Sequence, residues 1–406
     1  MNKILAFMFL LIFINGLFIT SFCSVSASSE LVEDSWNTKT PMLQARAGLG
    51  VVAVADKIYA IGGYAADGYV VGTNECYDPK KDTWVTLKSM PTPRRSFAMA
   101  VYDEKIYCIG GSGVRPHWAN GGNPYEPIPL LDLNVNEVYD PVTDSWSTKM
   151  SMPVEGSNLQ AHVVGGKIFI IDFYGNLFMY DVVKDSWTKQ NSVPVDSYTY
   201  VHFSVALDNK ILFYLVQYVP AVDVEHKIKF MLYDTKTDKW SEGNMPSVIA
   251  GYNDVFAPFA SRGFAGITSG VFAPQKIYFF SSYNETLIYE PKGDIWSVTK
   301  AMPTNRGYGF GVAVVDDIFY IIGGTLSDFL TPVCSVNEQY VPLGYHNVLS
   351  LTGSSSAAPV PSTSLFPLSF LGFFLTVPIL VVIVLIIGVT IVTSLFFYAK
   401  WRKIIV

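Results

Sequence analysis

The sequence predicts an all-β protein assembled from copies of one four-stranded antiparallel sheet, with an apolar segment at each end that lies outside the folded domain. Three observations carry that reading: a tyrosine followed seven residues later by a tryptophan recurs five times, a second hairpin pattern recurs six times, and residues 365–399 are almost wholly apolar. Self-similarity at a regular spacing marks a repeat architecture, and a long apolar run marks a membrane span.

The N-terminus is read first, because an export signal must be set aside before any fold reasoning. Lys3 precedes an uninterrupted apolar run from Ile4 to Ile14, and small and polar residues follow to Ser29, with Val25-Ser26-Ala27 as a cleavage site. This is the pattern of a secretory signal peptide over residues 1–27. Cys23 follows Phe22 and not the small residue that lipid attachment requires. An uncleaved signal anchor is the competing reading.

At the other end no charged residue occurs between Glu338 and Lys400. The apolar run predicts a transmembrane helix over residues 372–398, and Pro378 separates a lead-in from the main span. Lys400, Trp401, Arg402 and Lys403 follow at once, and such a basic end stays cytoplasmic, so residues 28 to about 365 are expected outside the cell. A sorting signal cut after export is the alternative. Residues 346–367 are rich in Ser and Pro and read as a stalk, leaving 399–406 as a short basic tail.

Between these ends the Tyr-to-Trp pairs are Tyr77 and Trp84, Tyr139 and Trp146, Tyr180 and Trp187, Tyr233 and Trp240, and Tyr289 and Trp296. Each spells strand, tight turn, strand, with aspartates in the turn and aromatic strand formers beside it. Upstream of most of them stands an apolar run, a turn and Lys-Ile-aromatic: VVAVADKIYAIGG, AMAVYDEKIYCIGG, AHVVGGKIFIID, SVALDNKILFYL, GVFAPQKIYFFSS and GVAVVDDIFYIIGG. Two hairpins make a sheet that cannot bury both faces alone and must stack on its copies.

These motifs resemble kelch repeats over about residues 35–345, which implies a six-bladed β-propeller at residues 34–345. The di-glycine of that family is matched by Gly62-Gly63, Gly110-Gly111 and Gly323-Gly324, while the other units carry Asp172-Phe173, Tyr214-Leu215 and Ser281-Ser282 there. The sixth unit has Tyr340 but no later Trp before the stalk. The missing piece is at the N-terminus, where DSWNTKTPM resembles SWSTKMSMP, so Trp36 is expected to complete the last blade and close the ring.

The long insertions, Ser112 to Asn136 and Pro246 to Gly266, fall on one end of such a ring, and the turns at the other end are short. On the elaborated end Arg46, Arg94, Arg95 and Arg306 precede the innermost strands, and Arg262 lies in the second insertion. Arginines near a channel mouth suit carboxylate, sulfate or phosphate groups, unless they pair with neighbouring acids. Aromatic platforms share this end: His117, Trp118, Tyr125, Tyr198, Tyr200, Tyr252, Phe256 and Tyr308. Glu155 stands at the same level, and Asn284 heads an N-glycosylation sequon.

Charge and cysteine content exclude other classes. Setting aside Lys3 and the three cations of the tail leaves 24 basic residues against 34 acidic ones, a net charge near −10, which argues against nucleic acid. Cys76, Cys108 and Cys334 remain after export, and they read as packing residues, with a Cys76–Cys108 bridge as the alternative. The five histidines, His117, His162, His202, His226 and His346, are scattered singly, so no metal site, no copper centre of the galactose-oxidase kind and no cofactor is expected. The expectation is therefore a cell-surface binding module for an extracellular protein or glycan. The alternatives are a structural envelope component and an exported sialic-acid-type mutarotase, the second using Glu155 as acid or base with Arg94 or Arg95 on the sugar carboxylate.

Overall fold

The computed structural model describes residues 31–114, 130–195, 198–218, 226–243, 264–280, 286–326 and 332–346. The chain divides into two compact units, Met1–Leu351 and Thr352–Val406, and every described residue lies in the first. The predicted signal peptide, span and tail lie outside the described residues, as does the stalk beyond His346. Among the described residues, no helix is long and apolar enough to cross a membrane.

Those residues form six four-stranded antiparallel sheets, together with two small ribbons. The first sheet runs Gly50–Val54, Lys57–Ile61, Asn74–Asp78, Thr83–Leu87 from its inner to its outer strand. The inner strands of the others are Ala98–Tyr102, Gln160–Val164, Thr199–Leu207, Phe264–Ile267 and Gly311–Val315. Each inner strand contacts the next, and the last contacts the first, so the contacts run in a cycle.

The apolar core lies between sheets. Second strands such as KIYAI, KIYCI and IFYII are buried on both faces, because a neighbouring sheet covers each side. One cluster joins Val51, Ile58 and Tyr77 of the first sheet to Ala313 and Tyr320 of the sixth, and another joins Ile61 and Cys76 to Ile106 and Tyr139 of the second. Cys76, Cys108 and Cys334 are buried free thiols and make no bridge.

The N-terminal strand behaves as the repeat requires. Ser35–Lys39 pairs with Asn337–Val341, with Trp36 opposite Tyr340 and the two rings 4.9 Å apart. The same spacing, 4.7 to 5.0 Å, recurs in the five internal Tyr–Trp pairs.

The second aspartate of each turn explains why the motif repeats. Asp34, Asp82, Asp144, Asp185, Asp238 and Asp294 all have φ between 47° and 53°, a left-handed conformation that Asp tolerates better than most residues. In the second sheet Asp144 accepts the Tyr139 hydroxyl at 2.7 Å and the backbone N–H of Lys88, at the end of the preceding sheet, at 2.9 Å. Trp146 then donates its indole N–H to the carbonyl of that same Lys88 at 2.8 Å. Thr40, Met150 and Asn191 are gripped at both their N–H and carbonyl groups in the same way, by Asp82 and Trp84, Asp185 and Trp187, and Asp238 and Trp240. The motif is thus a latch between sheets, and its value lies in a contact that no single repeat contains.

The latch has a pH signature. Hydrogen bonds from Tyr139 and Tyr180 hold the carboxyls of Asp144 and Asp185 below the usual carboxylate range. A carboxylate lowered by folding contributes stability that is complete above its unfolded pKa, about 3.9, and that is lost as pH falls through the lower folded value. The thermal midpoint is therefore expected to drop as pH falls below about 4, and to drop less in an Asp144→Asn, Asp185→Asn variant. Equal slopes for the two proteins in a melt series from pH 7 to pH 3 would remove the latch from the explanation.

The fifth sheet departs from the sequence reading. The segment GVFAPQKIYFFSS reads as a hairpin, but the inner strand is Phe264–Ile267, and residues 268–276 form the turn before Ile277–Phe280. The buried carboxylate of Asp317 from the sixth sheet accepts the backbone N–H groups of Ser269, Val271, Phe272 and Ala273, which takes Gly270 to Ala273 out of the ladder. The short-turn end therefore carries one longer, anchored turn, and the insertion into this sheet stops before Phe264.

Candidate functional site

The arginines come first, because the structure corrects their expected role. Arg46, Arg94 and Arg306 have no exposed surface. Arg46 donates to Glu75 at 2.9 Å and to the carbonyls of Gly62, Thr73 and Ala60. Arg94 is paired with Glu137 and donates to the carbonyls of Thr92 and Cys108, and Arg306 is paired with Glu338 at 2.6 Å and donates to the carbonyl of Gly323. A guanidinium with no exposed surface, held to a buried glutamate, cannot clamp an external anion. Arg306 thus plays the part in its sheet that Arg46 and Arg94 play in theirs.

The signal for this pairing was present in the sequence. Glu75, Glu137 and Glu338 each stand two residues before the repeat tyrosine, and the other three sheets have Phe178, Met231 and Leu287 there. The sheets with the Arg–Glu pair are also those with the di-glycine. At Gly62 the φ is +65° and a Cβ would lie 2.6 Å from the Arg94 carbonyl, while the N–H of Gly63 donates to that carbonyl at 2.9 Å. The glycines let one sheet approach the arginine-bearing segment of the next.

Above the inner strands four equivalent residues form part of a collar. Gly48 donates its N–H to the Gly309 carbonyl, Ser96 to Gly48, and Asn158 to Ser96, at 2.7 to 2.8 Å. All four have φ between 54° and 69°. Beside the collar Arg95 lies over the Tyr64 ring, 5.0 Å from its centroid, and the Tyr308 hydroxyl is 3.3 Å from that of Ser96. Arg95 pairs in register with Ser112, in a ribbon formed by Ser112–Val114 and Leu130–Asp132, so the insertion of the second sheet begins at this point.

Inside the collar lies a cavity of about 180 Å³, lined by Ser96, Asn158, Gln160, His162, Phe173, His202, Ser204 and Tyr308 with apolar and glycine positions between them. Among the described residues that line it there is no Asp, Glu, Lys or Arg. Gln160 Oε1 accepts the backbone N–H of Ser204 at 2.6 Å and its hydroxyl at 2.9 Å, and Gln160 Nε2 donates to the His202 carbonyl at 3.3 Å. His162 Nε2 lies 2.6 Å from Ser204 Oγ. Desolvation by the surrounding wall pushes the His162 pKa down to about 4 and keeps the ring neutral near neutral pH.

A bulge at His202 shapes this wall. The register shifts between Val201 and Phe203, so Val201 packs with the third sheet while Phe203 and Val205 pack toward the fifth. At the lip Phe173 stacks on Tyr200, with centroids 4.6 Å apart and planes 15° apart, and the exposed Tyr174 meets Tyr200 edge-on. Thr199–Leu207, Lys210–Tyr218 and His226–Asp234 are nine-residue strands, longer than their counterparts, so the fourth sheet stands above the collar. Tyr214-Leu215 therefore lies within a continuing strand where other sheets break at Gly-Gly.

Of the other sequence candidates, Glu155 is exposed beside the third sheet, and Tyr198 is an exposed residue with φ +66°. His117, Trp118, Tyr125, Tyr252, Phe256, Arg262 and Asn284 lie outside the described residues. Among the described residues no group of three or more His, Cys, Asp or Glu could hold a metal ion. Sequence reasoning missed Gln160, His162 and Ser204, which sit in an ordinary inner-strand pattern.

The family description "Kelch motif" matches residues 45–91 and 93–153. The chain carries kelch repeats in a kelch-propeller fold. The matched residues are the first two repeats, in which di-glycine, Arg–Glu pair, Tyr and Trp are contiguous; the sixth has its Trp at the other end of the chain. A solved structure described as "Structure of YjhT" is similar, with a TM-score of 0.54 and 15% identity over 74% of this chain and 95% of that one. At that identity the likeness concerns the kelch-propeller fold alone. No curated protein matches the sequence.

Proposed function

We propose that this kelch propeller is an exported binding module, a closed ring of six blades held at a membrane by its C-terminal segment, which presents the collar end to an extracellular protein or glycan. The observation that carries this reading is where the chain enters and leaves. The His346 N–H donates to the Phe272 carbonyl in the turn of the fifth blade, and the Gly344 N–H donates to Glu33, so the first and last described segments meet at the short-turn end. The collar, the ribbon at Arg95 and the tall fourth blade stand at the other end of the sheets from Glu33 and His346. The sequence supports the export signal, the span and a cytoplasmic tail.

The reading is tested on cells displaying the full chain, probed with a glycan and peptide array. Arg95→Ala with Tyr174→Ala is expected to weaken the captured ligand at least about tenfold, or roughly 1.4 kcal/mol. Unchanged binding in that variant, with loss on changing Lys80 and Lys184 at the short-turn end, would place the contact on the wrong face and end the proposal.

A further inference from the structure

We infer that the cavity within the collar is a subsite for one uncharged hydroxylated ring, a neutral pyranose unit, and that it rejects sugar acids. This rests on the collar end being the ligand face and narrows what that face recognises.

The Gln160 amide is oriented by its donation to the His202 carbonyl, so the oxygen facing Ser204 accepts both the N–H and the hydroxyl of that residue. A serine hydroxyl has one proton, and here it is spent on Gln160. Ser204 Oγ must therefore accept from His162 Nε2–H across the 2.6 Å contact. The neutral imidazole carries its single proton on Nε2, which leaves Nδ1 as a lone-pair acceptor on a ring that lines the cavity.

Such a wall asks its occupant for donors. A hydroxyl can donate to Nδ1, whereas a carboxylate would meet that lone pair with no cation among the described lining residues. Arg46, Arg94 and Arg306, which could have supplied one, are buried against glutamates. The Phe173–Tyr200 pair at the lip offers the apolar platform on which the C–H face of a sugar stacks. The cavity of about 180 Å³ gives room for a ring-sized ligand unit.

The full chain in detergent is examined by saturation-transfer NMR with the methyl glycosides of glucose, galactose and mannose and with N-acetylneuraminate. At least one neutral glycoside is expected to bind, and the neuraminate at least about tenfold more weakly, a gap of about 1.4 kcal/mol. His162→Phe should lower neutral-glycoside binding by a similar factor with an unchanged melting midpoint, and His162→Asn, whose Oδ1 stands near the place of Nδ1, should retain more than the Phe variant. Neuraminate binding as tight as the neutral sugars, no neutral glycoside binding, or full-strength binding by His162→Phe would each overturn the inference. Array capture of peptides alone, through Arg95 and Tyr174, would overturn it and leave the collar-face reading standing. Glycoside binding that depends on His162, in a chain whose array ligand ignores Arg95 and Tyr174, would do the reverse.

Discussion

Glu137→Leu, with Arg94 left in place, is expected to destabilise the propeller by about 3–5 kcal/mol, because it strands a charge that has no exposed surface. The same loss is expected for Arg94→Met, which strands Glu137. The double variant should recover most of it, since a buried pair replaced by apolar residues of similar volume is often neutral. The molecule already contains the precedent: the third blade has Gly156 where the arginine would be and Phe178 where the glutamate would be, and the two changes occur together. Chemical denaturation of the full chain in detergent gives the three midpoints. If the double variant is no better than the singles, the carbonyls of Thr92 and Cys108, and not Glu137, are the partners that matter.

Deleting residues 28–42 behind an intact signal peptide is expected to have the larger consequence, loss of the monomeric fold. The deletion removes the outer strand of the sixth blade, bares the edge Asn337–Val341, and takes away Asp34 and Trp36, which hold Tyr340 and the end of the fifth blade. An exposed edge that has lost its partner pairs with whatever strand it meets. The truncated chain should elute as oligomers, and a synthetic peptide of residues 31–42 should restore the monomer by refilling the gap. A truncated chain that stays monomeric with an unshifted midpoint would show that this strand does not close the ring.

These two results separate kinds of information. The repeat was legible because its residues are chosen by local chemistry: Asp for a left-handed turn, Tyr and Trp for strand positions, an apolar second strand because both its faces are covered. The place of Trp36 was legible for the same reason, since a nine-residue segment at the wrong end of the chain matched the repeat. The inner hairpin of the fifth blade was misread because the pattern of GVFAPQK fits a strand, and only the distant Asp317 claims its N–H groups.

The candidate site was less legible. The sequence led to an expectation of arginines at the channel mouth, but charge alone does not say whether a side chain points to water or to a glutamate more than 25 residues away, as Arg46 does to Glu75. Gln160, His162 and Ser204 became a site only when two neighbouring inner strands met and a bulge at His202 redirected one of them.

By itself, then, the sequence determined the all-β repeat, the strand that returns to complete it and the end that carries the long connections, since each is written in residue type and spacing. Tertiary structure alone decided that three arginines are internal supports, that the described wall of the collar cavity is uncharged and that Glu33 and Gly344 meet at the opposite end. Those are relations between blades, and hydrogen bonds and burial across a blade junction have no counterpart in the spacing along a single repeat.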